Sequence, residues 1–419
     1  MKLLLVSQYF WPESFAINAL ARSLCERGVD VTVVTGQPNY PEGEVFSGYS
    51  AWRLQREGFN GMEVLRLPLF PRGKRSSLRL ALNYLSFVLA GLVFGPWLLR
   101  RRSFDVVFVY APSPLLQALP AIWLAWLKRA PCVLWVQDLW PESLSATGFV
   151  KNKTILRLVE SVVRYIYHHI DRVLIPSEAF RAPITRFIDD PARIRYYPNA
   201  YVDTGQPLPD DWRNFPGVHA LTQDIRSGFS IVFAGNLGTA QSLETIIDAA
   251  AILQLEAAPI RFFLIGSGSL SEWSSEEIRQ RALRNVVLPG RFPPEAMSGL
   301  YAAAEVLLVS LRDEPIFAFT IPSKIQGYLA AGKPVIASLN GEGARVVVEA
   351  GAGLACPAAD AQSLAQAALE LYRLSADARR EMGENARRYA RDHFALDHLV
   401  TELVTQFEEL AVTEREKRW

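Results

Sequence analysis

The feature that most constrains this chain is a repeated unit: a short run of Val, Leu and Ile, a polar turn, then a longer helical stretch. A parallel sheet covered by helices on both faces needs such strands, because neither face of the strand meets water and polar and apolar residues cannot alternate along it. In the N-terminal half the pattern predicts strands at Lys2 to Gln8, Val29 to Thr35, Glu63 to Leu67, Val106 to Tyr110, Cys132 to Gln137 and Arg172 to Pro176, with helices between most of them. From Tyr196 to Pro209, YYPNAYVDTGQPLP, it gives way to Pro, Gly and Asp, the composition of a linker. A second series opens at Ser230 to Ala234, with a turn at Gly235 to Gly238, a helix from Leu243, a strand at Arg261 to Ile265, and further strands near Val286, Val306 and Val335. At 419 residues the chain exceeds a single core. The expectation is an α/β protein of two parallel-sheet domains, residues 1–200 and 201–390, facing a cleft. Residues 391–419 are expected to form a helical segment packing back on the first domain, its charged tail from Thr413 frayed.

Composition narrows the partners. A formal net charge of +1 argues against nucleic acid. Cys25, Cys132 and Cys356 are odd in number and show no metal spacing, which predicts reduced thiols in the cytoplasm. The opening MKLLLVSQYFWPES has too short an apolar run for a signal peptide and reads as a first strand. Leu78 to Leu99 approaches the length and hydrophobicity of a membrane span. It has two readings: a buried helix broken at Gly95-Pro96, or an element contacting the inner face of a membrane through flanking Arg72, Lys74, Arg75 and Arg100 to Arg102.

Three places on the second series suit a phosphate. In FAFTIPSKIQGYLAAGKPVIAS, Ser323 and Lys324 fall at the entrance of a short helix that Gly332 to Pro334 ends. Unpaired amides, the helix dipole and an ammonium together favour an anion there. Gly235-Asn236-Leu237-Gly238 and Gly266-Ser267-Gly268 each follow a strand, where glycine lets backbone approach a phosphate or simply makes a tight connection. Arg291, in LPGRF, follows another strand and borders the same edge. On the first series, Tyr9 to Glu13 and Gln137 to Glu142 follow strands and present carboxylates among aromatics, as sugar rings require. Asp138 and Glu142 read either as hydrogen-bonding or basic groups toward a hydroxyl, or as helix N-caps. His168 and His169 have no partners at zinc spacing.

These motifs resemble the retaining GT-B glycosyltransferases of family 4, and more narrowly the bacterial colanic-acid and O-antigen biosynthesis type (WcaI/WbuB-like). The resemblance covers nearly the whole chain and rests on YFWPE from Tyr9, QPNYPEGEVFSGY from Gln37, DLWPESL from Asp138, PNAYVD from Pro198, GNLGTAQ from Gly235 and IPSKIQGYLAAGKP from Ile321. It implies two Rossmann-like domains. A nucleoside-diphosphate sugar is expected on the second, at Gly235, Asn236, Leu237, Gly238, Gly266, Ser267, Gly268, Arg291, Ser323 and Lys324. A polyprenyl-diphosphate-linked saccharide acceptor is expected on the first, at Trp11, Glu13, Ser14, Trp140 and Glu142. Asp138 and Lys324 are the candidate catalytic residues, and the transfer is expected to retain configuration with no metal and no cofactor, in a cytoplasmic protein peripheral to the inner membrane face.

The chain departs from the family at telling positions. Arg and Lys common in the first turn are Asn236 and Gln241 here, the paired glutamates seven residues apart fall at Phe319 and Gly327, and the histidine before Asp138 is Gln137. Two alternatives follow: a nucleotide-sugar epimerase of the same fold, and a catalytically degenerate scaffold.

Overall fold

The computed structural model describes residues 1–73, 76–146, 152–201 and 215–416. The chain divides into two compact units, Met1–Asn199 with Leu396–Trp419, and Ala200–Ala395. Of the linker expected at Tyr196 to Pro209, the part after Tyr201 lies outside the described residues, as do Lys74 and Arg75 of the basic flank.

The first unit holds β1 (Lys2–Val6), β2 (Asp30–Gly36), β3 (Gln55–Phe59), β4 (Met62–Leu67), β5 (Val106–Ala111), β6 (Cys132–Val136), β7 (Arg172–Ile175) and β8 (Ile194–Tyr196). They form one sheet in the order β3-β4-β2-β1-β5-β6-β7-β8. Every pairing is parallel except β3 with β4. Leu5 of β1 lies opposite Val33 on one side and Phe108 on the other, so the strand order reverses beside β1. Ligands of open α/β sheets bind beyond the carboxyl ends of the strands at such a reversal.

The second unit holds β9 (Phe229–Ala234), β10 (Ile260–Ile265), β11 (Val286–Gly290), β12 (Val306–Ser310), β13 (Val335–Ser338) and β14 (Gly353–Cys356). Its order is β11-β10-β9-β12-β13-β14, all parallel, with the reversal between β9 and β12. Both units are thus Rossmann-like. The sequence pattern missed β3, β8 and β14, and all three are edge strands. An edge strand needs no apolar run buried on both faces, and QREGF in β3 and GLAC in β14 have none.

Two further expectations are corrected. The Ser77–Leu98 helix runs through Gly95-Pro96 without a break. A Cβ on Gly91 would lie 2.6 Å from Pro120 and one on Gly95 3.3 Å from Leu124, so these glycines are notches that seat the Ala118–Lys128 helix. The tail is not frayed at Thr413, since the Leu396–Glu416 helix extends through it. That helix rejoins the first unit: Phe407 packs edge-on against Phe108 of β5 at 5.2 Å, and the Tyr197 hydroxyl donates to Leu399 O at 3.1 Å.

Candidate functional site

In the second unit the carboxyl ends of β9 and β10 interlock through glycine. Gly235 and Gly266 have φ of 139° and 146°, a region L side chains rarely adopt, and a Cβ on Gly266 would lie 1.8 Å from Gly235 O. The amides alternate in their duty. Gly235 N–H donates to Ile265 O, Leu237 N–H to Ser267 O, Gly266 N–H to Gly290 O and Gly268 N–H to the Ser271 hydroxyl. The expectation that the whole turn offers its amides is therefore corrected: among the described residues Asn236, Gly238 and Ser267 are the ones left to donate. Leu237 contributes no side chain either, being buried in the core.

Lys324 reaches this turn from the Ser323–Ala331 helix. A Cβ on Gly235 would lie 2.6 Å from Lys324 Cε, so glycine is what admits the lysine. Its Nζ donates to Gln241 Oε1 at 2.6 Å and lies 3.9 Å from the centroid of the Phe233 ring. Burial lowers its pKa to about 8. The helix has Pro322 at its N-cap, which offers no side-chain acceptor to the first amides. Three elements thus bring Lys324 and both glycine turns together, with Ser323 at the start of the lysine's helix.

Beside them opens a cavity of about 530 Å³ lined by Gly235, Asn236, Gly266, Ser267, Gly268 and Arg291, all six predicted, and by Phe292, Met297 and Tyr301, which were not. Met297 and Tyr301 lie on the Pro294–Ala303 helix, one turn apart. Spacing at i, i+4 was the only trace they left in the sequence. Tyr301 packs edge-on against Tyr328 at 5.1 Å, and the Tyr328 hydroxyl accepts from Ala234 N–H at 2.9 Å. Gly327, where the resemblance implies a glutamate, has no atom within 4 Å of an added Cβ. The space remains although the carboxylate is absent.

In the first unit the turns after β5 and β6 meet at Asp138, and Tyr84 links Ser113 there to Tyr9 after β1. Its carboxylate accepts from Trp140 Nε1 at 3.2 Å, from the hydroxyls of Ser143 and Ser113, and from Leu139 N–H, while burial raises its pKa. Ser113 also hydrogen-bonds Tyr84, which faces Tyr9. Gln137 Nε2 is buried with no partner among the described residues, an unspent donor adjoining Asp138. Sequence reasoning missed Ser113 and Tyr84, which reach the site from other elements.

Two acceptor-side expectations are corrected. Glu13 is 2% exposed. Its carboxylate accepts from Asn39 N–H at 2.8 Å, Tyr40 N–H at 2.7 Å and Phe10 N–H at 3.3 Å, so it anchors the loop after β2 and leaves little for an acceptor. Trp140 is buried and offers no ring face to a sugar, and it acts through Asp138. Trp11 stacks on Phe59 at 4.7 Å, Ser14 is exposed, and Glu142 opens a short helix and pairs with Arg186.

Comparison with known proteins agrees across both units. Residues 14–200 match the glycosyl transferase 4-like domain, and residues 228–373 match glycosyl transferases group 1. The chain is 27% identical over 308 residues to a probable glycosyltransferase, WbjE, of Pseudomonas aeruginosa, covering 73% of this chain and 75% of that protein. It is 27% identical over 353 residues to the putative colanic acid biosynthesis glycosyl transferase WcaI of Escherichia coli K12, covering 79% and 82%. Among solved structures, Anabaena HepE in complex with UDP and glucose superposes with a TM-score of 0.65 at 16% identity, over 98% of this chain and all of that one.

Proposed function

This chain belongs to the GT-B glycosyltransferases of family 4, and from that premise we propose that it moves a sugar from a nucleoside-diphosphate donor to a lipid-linked saccharide in bacterial surface polysaccharide synthesis. The observation that carries the donor side is Lys324 set against Gly235 beside the Arg291–Tyr301 cavity. HepE, which has the same fold, was solved in complex with UDP and glucose, and this supports a nucleotide-sugar donor for the reading.

The chemistry asks for charge neutralisation on the departing phosphates as the sugar becomes oxocarbenium-like. In our reading Lys324, Ser323, the free amides of Asn236, Gly238 and Ser267, and the helix entrance supply it. Charge-assisted contacts of this kind are each worth roughly 1.5–3 kcal/mol. Transfer with retention lets the leaving phosphate take the acceptor proton, so on the first unit Asp138 and the Gln137 amide orient the acceptor and no strong protein base is needed. The relatives favour this reading over the epimerase and the scaffold, since both are described as transferases.

The acceptor's lipid side is proposed from one face of the first unit. Leu78, Leu82, Leu85, Leu89, Val93 and Trp97 of the Ser77–Leu98 helix are exposed, Leu89 and Val93 by 62% and 66%. Exposed Trp123, Trp126 and Leu127 continue the surface on the neighbouring helix. Exposed Arg100, Arg101 and Arg129 rim its end, where Lys128 Nζ donates to Arg102 O and joins the two helices. Apolar surface with a basic rim suits anionic phospholipid at a cytoplasmic membrane face.

The test of the reading is transfer itself. Purified protein is first screened with nucleotide sugars for a rise in melting temperature, then assayed with the stabilising donor and a prenyl-diphosphate saccharide. Lys324→Ala should lower kcat about tenfold to a hundredfold, the loss of one charged contact, with little change in acceptor KM. Wild-type turnover in that variant would sink the assignment, and a sugar isomer formed from donor alone would favour the epimerase.

A further inference from the structure

The acceptor of the Lys324 ammonium in the second unit is a neutral amide. Gln241 closes the short turn Thr239–Gln241, which two backbone hydrogen bonds hold. Gln241 N–H donates to Gly238 O at 3.1 Å, Arg312 N–H donates to Ala240 O at 3.0 Å, and Arg312 is ion-paired with Glu244 at 3.1 Å. The Gln241 side chain therefore starts from a fixed point. Its Oε1 stands 2.6 Å from Lys324 Nζ, which itself lies 3.9 Å from the Phe233 ring centroid, while Gly235 leaves room for the lysine's Cε. The amide must present its oxygen, because an ammonium has three donors and no lone pair to accept from an NH₂.

We propose that Gln241 is a positioning residue, whose amide oxygen holds the Lys324 ammonium at the glycine turn in the free enzyme and yields its place to a phosphate oxygen when the donor binds. This rests on the donor reading given above. A carboxylate at this position would hold the lysine more strongly but cancel its charge and repel the diphosphate. A lysine would add a second cation within a few ångströms and weaken the first. A neutral acceptor fixes the ammonium and leaves its charge to the ligand. Burial already brings Lys324 to about 8, so the loss of its acceptor falls within an accessible pH range.

The test compares Gln241→Leu and Gln241→Glu in the full chain by two readouts. The first is the pH dependence of kcat/KM for the donor. The second is the rate of Lys324 acetylation by acetic anhydride against pH, followed by mass spectrometry of the peptide without any substrate. In the wild type both should turn at about pH 8, the value expected for Lys324. Gln241→Leu should move both midpoints down by about one pH unit, the size of one hydrogen bond to a charged group. Gln241→Glu should move them up while raising donor KM. Opposite displacements are not produced by a residue that only supports the fold. Should Gln241→Leu fail to fold, Gln241→Met carries the same comparison. Unmoved midpoints in the Gln241 variants, with kcat lowered in Lys324→Ala as expected, would overturn the inference and leave the donor reading standing. Wild-type turnover in Lys324→Ala would overturn the donor reading itself.

Discussion

Burial pushes Lys324 and Glu13 toward neutrality from opposite sides, lowering the first to about 8 and raising the second to about 7. The consequences differ because Glu13 is surrounded by its own backbone. Between its ordinary value of 4.5 and about 7 the folded carboxyl keeps a proton that the unfolded chain has released. Stability therefore falls as pH rises through that window. Glu13→Gln keeps an oxygen for the Asn39 and Tyr40 amides and removes the titration, so the decline in melting temperature from pH 5 to pH 7.5 should flatten in the variant. An unchanged decline would assign the effect to another group. Glu13→Ala orphans three amides and should cost about 1–3 kcal/mol by denaturant unfolding. At Gly235 the argument is steric: alanine would put a Cβ 2.6 Å from Lys324 Cε and strain the φ of 139°. Gly235→Ala should cut donor turnover at least tenfold while far-ultraviolet circular dichroism stays native, and full activity would show that the lysine does not need that approach. The turn glycines and Lys324 were legible in the sequence because each sits in a short motif. Phe233, Phe292 and Tyr301 were not, since each comes from a separate element and only the folded sheet brings them together.

At the scale of elements, strands buried on both faces announce themselves as apolar runs, and β1, β5, β6, β9 and β10 were read within a residue or two of their bounds. The edge strands carried no such signal. The Ser77–Leu98 helix shows a different failure, in which composition was read as conformation. Pro96 sits in the last turn, where its missing N–H forfeits one hydrogen bond near the helix end, and Leu99 N–H still bonds Gly95 O at 3.1 Å. The glycines before it are spent on packing. Gly91→Leu would drive a side chain into Pro120, and overpacking of this kind typically costs about 1–3 kcal/mol, to be checked by urea unfolding. The opposite face of the same helix should respond differently. Leu89→Glu with Val93→Glu should abolish co-sedimentation with anionic vesicles while leaving the melting temperature within a degree or two, because both residues already face solvent. Arg100→Ser with Arg101→Ser should weaken binding in low salt. Arg102 is left intact because it pairs with Glu63 and hydrogen-bonds Thr32. Vesicle binding untouched by the glutamates would remove the lipid-docking proposal.

At the scale of the molecule, the alternation of strands and helices made two sheets legible and the terminal segment was expected to return to the first, but the contacts that hold it there could not be read from the sequence. The Leu396–Glu416 helix is held through contacts far apart in the chain: Phe407 on Phe108, the Tyr197 hydroxyl on Leu399 O, and Asp397 on Arg27 at 3.0 Å. Tyr197 also meets the ring of fully buried Trp135, whose Nε1 donates to Tyr197 O at 3.0 Å. Removing residues 396–419 would thus uncover Phe108 and leave a buried tyrosine hydroxyl without its acceptor. Loss of Phe407, Leu403, Val400 and Leu399, all buried, costs about 1.5–3 kcal/mol each in transfer energy, comparable in sum to the whole stability of a domain. The second unit has no such dependence, since Ala200–Ala395 is continuous and Tyr201 N–H bonds Phe394 O at 2.7 Å within it. A chain ending at residue 395 should therefore melt in two steps, with the first unit lost at lower temperature and the second still stabilised by the nucleotide. A 396–419 peptide added to that truncated chain should restore the lost transition. A single transition at the wild-type temperature would mean that the helix rests on the first unit without holding it.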